Sequence, residues 1–87
     1  MLDYRLSRHA KEEAARRQIP WSWIETVLAS PEQQIEESDG KTVLQSRLRD
    51  DHGKMFLVRA VLATDKTPPV VITIYRTSKI QKYWRSE

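Results

Sequence analysis

Apolar residues recur at helical spacing in the first third of this chain and at alternate positions in most of the rest. From Arg8 to Gln18 the run RHAKEEAARRQ has no Gly, Pro or β-branched residue, and it is rich in Ala, Glu, Lys and Arg. Such a run favours helix, and Ser7 before it is a good N-cap. Leu6, Ala10 and Ala14 give it a thin apolar stripe. PWSWIETVLA predicts a second helix, with Pro20 in the first turn and Trp21, Ile24 and Leu28 at helical spacing, flanked by Trp23 and Val27. Ser30 and Pro31 end it.

After Pro31 the period falls to two. EQQIEES reads as an edge strand, Asp39 and Gly40 as a hairpin turn, and KTVLQSRLR as a second strand ending at the turn DDHG. KMFLVRAVLAT and VVITIYR, separated by DKTPP, are richer in Val, Ile and aromatic residues and read as central strands. A short helix or tail follows from Ser78. Helices gathered before strands predict an α+β fold: two N-terminal helices packed on one face of a four-stranded antiparallel sheet, as a single domain over residues 1–87. The expected core includes Trp21, Ile24, Leu28, Phe56, Val58 and either Ile72 or Ile74. Alternation puts Leu44, Ser46 and Leu48 on the helix side with Phe56. It puts Arg47, Arg49 and Arg59 on an opposite, open face, given the hairpin register that the Asp50 to Gly53 turn implies.

With 87 residues there is room for one small domain. No apolar stretch is long enough for a membrane span, and the N-terminus lacks the apolar core of a signal peptide, so a cytoplasmic protein is expected. Cysteine is absent, which removes disulfides, thiolate nucleophiles and sulfur-ligated metal sites. The two histidines, His9 and His52, are far apart and show no metal-ligand spacing, so neither a metal nor a cofactor is expected. The net charge of +3 changes the picture through its distribution. Glu32, Glu36, Glu37 and Asp39 make the middle acidic, whereas Arg76, Lys79, Lys82 and Arg85 make the end basic. A basic end suits a polyanionic partner.

In a helical tail Ile80, Tyr83 and Trp84 share a face, Ile80 and Trp84 dock it, and Lys82 and Arg85 are solvated cations. Arg76, Lys79 and Tyr83 follow a central strand, where an Arg holds phosphate through paired hydrogen bonds and a Lys adds a point charge. SRHAKEEAARRQIPWSWIETVLASPEQ near the start and VVITIYRTSKIQKYW at the end resemble the family known as domain of unknown function 4258. The likeness runs over nearly the whole chain. That family is generally grouped with the RelE/ParE-like toxins, and the order of elements also resembles the BrnT toxins. The resemblance implies a RelE-like fold and, among toxins of that superfamily, RNA cleavage or the poisoning of other targets by basic and tyrosine side chains that differ between members.

Metal-free RNA cleavage needs a base for the 2′-hydroxyl, an acid for the leaving oxygen and cations for the charge developing on phosphorus. Arg47, Arg59 and Arg76 are the candidate phosphate-binding residues. Lys79 joins them as a cation, and His9 and Tyr83 are the candidates for proton transfer. Bland alternatives stand beside these roles: His9 as a helix-start histidine, Arg17 as the surface partner of Glu13, His52 as an exposed turn residue, Tyr75 and Tyr83 as packing residues. The leading expectation is a toxin-like, metal-independent endoribonuclease acting on RNA, associated with the ribosome and restrained by an antitoxin protein. The alternative is a non-catalytic module that uses the same face to bind nucleic acid or protein.

Overall fold

The computed structural model describes residues 4–37 and 39–86. In chain order the elements are β1 (Arg5–Leu6), α1 (Arg8–Arg16), α2 (Trp21–Ala29), β2 (Gln33–Glu36), β3 (Lys41–Arg49), β4 (Met55–Ala63), β5 (Val70–Thr77) and α3 (Ile80–Tyr83). The class is α+β, with one five-stranded sheet in the order β1-β5-β4-β3-β2. From β2 to β5 the expected antiparallel meander is present. The four-stranded, wholly antiparallel sheet is corrected by β1, which adds at the outer edge and runs parallel to β5, pairing Arg5 with Val70 and Leu6 with Val71. Two residues cannot display an alternation, and Leu6 belongs to this strand rather than to the first helix. The last residue of the expected edge strand, Ser38, lies outside the described residues.

Ser7 joins β1 to α1 and does two things with one hydroxyl. Its Oγ accepts from the Ala10 N–H at 3.0 Å, capping α1, and donates to the Ile72 carbonyl at 2.9 Å. The backbone N–H of Ser7 also reaches the Val71 carbonyl at 2.9 Å. The helix start is thereby fastened to β5 where that strand bulges, between the pairs Val61–Thr73 and Leu62–Val71. At its other end α1 closes with Gln18 at φ 55. The Gln18 N–H bonds the Ala15 carbonyl and the Ile19 N–H bonds the Ala14 carbonyl, the paired bonds of a Schellman ending. Ile19 and Ala14, its usual apolar contact, are both buried.

The core lies between the helix layer and one face of the sheet. Ala10, Ala14, Ile19, Ile24, Val27 and Leu28 meet Leu44, Val58, Ala60, Leu62, Val71 and Ile74. Two expected core residues are corrected: Phe56 is half-buried and Trp21 is 57 % exposed, while of the pair Ile72 and Ile74 it is Ile74 that is fully buried. Trp21 is the first residue of α2, where the apolar stripe runs past the edge of the core and lines a surface hollow instead. Among the described residues no helix is long and apolar enough to cross a membrane.

Candidate functional site

The sheet face turned away from the helices is not open. Residues 79–86 fold back over it, so Thr42 through Ser46 of β3 are buried on both faces. Under this cover four side chains form one row straight across the meander. Gln33 of β2 pairs with Gln45 of β3, Gln45 with Arg59 of β4, and Arg59 with Tyr75 of β5. Directly paired residues point to the same face, so register alone places these four side by side. They are joined by continuous hydrogen bonds. The Gln45 Nε2 donates to Gln33 Oε1 at 2.7 Å, the Arg59 Nε donates to Gln45 Oε1 at 2.8 Å, and the Arg59 Nη1 donates to the Tyr75 hydroxyl at 2.6 Å.

The tail supplies the remaining partners. Gln45 Nε2 also donates to the Tyr83 carbonyl at 3.2 Å, and Gln33 exchanges bonds with the Arg85 backbone, donating to its carbonyl at 2.6 Å and accepting from its N–H at 3.1 Å. Gln45 is fully buried, yet among the described residues no buried side-chain donor or acceptor is left unpaired. Two aromatic rings close the cover. Tyr83 lies 4.3 Å from the Arg59 guanidinium and edge-on to Tyr75, and Trp84 lies 4.0 Å from that of Arg47.

Arg47 and Arg59 differ in what balances their charge. Arg47 holds Glu32 through two guanidinium bonds, at 3.2 and 3.0 Å, and its backbone N–H adds a third at 2.7 Å. The side-chain bond from Arg47 is the main cause that pulls the Glu32 carboxyl below its ordinary range. Arg59, half-buried, has only neutral partners: a glutamine, a tyrosine hydroxyl and aromatic rings. Among the described residues no carboxylate lies at ion-pair distance from it. Its Nη2 has no protein acceptor there. A cation held by neutral groups and short of an acceptor has the charge and the free donor to take an anion, and its fork geometry suits phosphate.

The other candidates from the sequence separate. Tyr83 stands beside Arg59, and Arg47 shares that face. Arg76 does not: it pairs with Val58, a core residue, so it projects on the helix side, with its guanidinium 4.7 Å from the Phe56 ring and 6.0 Å from that of Trp23. Lys79 is exposed at the start of α3, its backbone N–H bonded to the Thr77 hydroxyl. His9 is exposed on α1, in the helix layer, with no side-chain hydrogen bond among the described residues. His9 and Tyr83 therefore stand on opposite sides of the sheet and cannot serve one phosphate together. Arg17 does bond Glu13, at 3.0 Å. Gln33 and Gln45 were not among the candidates, and Tyr75 stood behind Tyr83. Their signal was a glutamine next to Val43 and Leu44 in the middle of a strand, which gains meaning only once register sets Arg59 next to it.

Among the described residues no cluster of three or more His, Asp or Glu side chains is placed to hold a metal ion. Over residues 6–76, from β1 nearly to the end of β5, the chain matches the family described as a domain of unknown function (DUF4258). The match spans the whole row and stops before the tail that covers it. No curated protein and no solved structure matches the chain.

Proposed function

The chain belongs to the DUF4258 family, a premise on which we propose that it is a toxin-like domain acting on RNA in the cytoplasm, as a metal-independent endoribonuclease with an antitoxin as its partner. The observation that carries this reading is Arg59, half-buried with only neutral partners and bonded to the hydroxyl of Tyr75. The Tyr75 oxygen accepts from Arg59, so its own proton is free to be donated to a group held beside the guanidinium. With a phosphodiester on Nη2, the 2′-hydroxyl loses its proton to solvent water and its oxygen attacks phosphorus, the bond to the 5′-oxygen breaks as Tyr75 gives that oxygen its proton, and the tyrosinate regains a proton from solvent. A 2′,3′-cyclic phosphate and a 5′-hydroxyl result. Tyr83, stacked on the same guanidinium, brings a second hydroxyl to the site. The layering, with two helices on one sheet face and a short C-terminal helix on the other, supports grouping with RelE/ParE/BrnT-like toxins, and association with the ribosome goes with that grouping.

A second reading, a non-catalytic binding module on the same face, is favoured by one fact: His9 lies in the other layer, so the imidazole is not beside the arginines. Cleavage of RNA in chelator, with and without ribosomes, decides between the two. Under the first reading Tyr75→Phe keeps binding and lowers the cleavage rate roughly a hundredfold or more. Arg59→Lys keeps a cation but loses the fork, and weakens both binding and cleavage. Binding without cleavage, weakened by added salt and by Arg59→Lys, establishes the module instead. A folded protein that neither binds nor cuts RNA ends both nucleic-acid readings and leaves a protein-binding module.

A further inference from the structure

The helix layer carries a hollow of about 290 Å³ between α1 and α2, lined by Leu6, Ala14, Ile19, Trp21 and Ile24, with Lys11 as the charged residue in its wall. Trp21, 57 % exposed, is the large hydrophobic residue left in water among the described residues. An exposed indole beside an apolar hollow marks an association surface, because tryptophan contributes more than most residues when a partner covers it. Charge narrows the choice of partner. Elsewhere on α1, Arg8 pairs with Glu12, and Arg16 and Arg17 pair with Glu13. Lys11 on α1 and Glu25 on α2, one turn after Trp21, are both exposed, and neither joins an ion pair among the described residues.

We infer that this hollow is the contact face between two copies of the chain related by a twofold axis, with Trp21 of each copy covering the hollow of the other and Lys11 facing the partner's Glu25. A twofold contact uses one patch twice, so the patch must complement itself. An apolar centre does so, and so does a positive wall set against a negative one, since the rotation brings each onto the other. A partner that fills this hollow and meets Lys11 presents a bulky apolar side chain near a carboxylate. The chain already carries that pair as Trp21 and Glu25. The inference does not depend on RNA binding. The Gln33–Tyr75 row lies on the other side of the sheet, so this dimer contact touches neither row.

Sedimentation of the full chain, from micromolar to millimolar, tests the contact. A monomer–dimer equilibrium is expected, weakened at least about tenfold by Trp21→Ala. Lys11→Glu and Glu25→Lys should each weaken it by setting like charges together, and the double variant should recover the wild-type constant. All three positions are exposed, so the variants should keep the wild-type circular dichroism. A wild type that stays monomeric at the highest concentration overturns the inference. So does a dimer indifferent to Trp21→Ala, or a charge reversal that fails to restore what the single changes lose.

Discussion

A guanidinium bonded to a carboxylate and one held by neutral acceptors offer a ligand different things, and Arg47 and Arg59 are one of each. Glu32 already supplies Arg47 with an anion, so phosphate would have to displace it. Arg59 has no such competitor among the described residues. The Arg47–Glu32 pair shows itself in acid instead. The Glu32 carboxyl is held below its ordinary pKa of 4.5 first by the Arg47 side chain and then by the Arg47 N–H, against a smaller effect of burial. Glu13 is lowered by Arg16 and then Arg17, and Asp50 chiefly by the Lys54 N–H. A carboxyl whose folded pKa is depressed contributes stability that is complete above its unfolded pKa and is lost as pH falls through the folded one. Stability should therefore drop below roughly pH 5 as these groups protonate. Glu32→Gln should lower stability at neutral pH and flatten that acid limb. Urea unfolding at several pH values reads both effects, and a variant whose acid limb matches the wild type would show that the pair contributes nothing.

Among the elements, α1 depends on its N-cap residue more than its length suggests. Short helices are held by packing and caps rather than by propensity, and Ser7 is at once the cap and the tie to β5. Ser7→Ala loses the cap, about 1 kcal/mol, and leaves the Ile72 carbonyl without that donor, about 1 kcal/mol more. Ser7→Asp keeps the cap but cannot donate, so it should fall between the two in urea unfolding. If Ala and Asp destabilise equally, the tie to β5 is the whole of the effect. Elements with several turns or several alternations were legible in the sequence: both helices, β3 over its full Lys41–Arg49 length, and the meander order. β1 was not, because a two-residue strand exists only through its partner. Nor was the cover over the second sheet face. Trp84 was read as a docking residue and Tyr83 as a proton donor or a packing residue, but the sequence does not say that both rings lie on arginines.

For the molecule as a whole, burial decides which hydrophobic residues matter. Ile74 is fully buried and Phe56 only half, so Ile74→Ala should cost about 2–5 kcal/mol and Phe56→Ala distinctly less. Equal losses in chemical denaturation would put the two rings of contacts on a par. The candidate site was legible as residue types and illegible as a place. Arg59 and Tyr83 were recognised and do meet, whereas Arg76 was expected beside them and lies across the sheet. A shift by one position along a strand moves a side chain from one face to the other, and only the pairing fixes it. That dependence runs the other way too. Thr42, Val43, Leu44, Gln45 and Ser46 are all buried, so alternation of oily and polar residues gives β3 little means of distinguishing its native alignment from one slipped by a single residue. The row of Gln33, Gln45, Arg59 and Tyr75 does distinguish them. A slip would drive glutamine and guanidinium into the oily layer under the helices with nothing to bond. The information that aligns this sheet is written in its polar face, and a variant that replaced the row with well-packed aliphatic residues would keep its compactness while losing the uniqueness of its strand pairing.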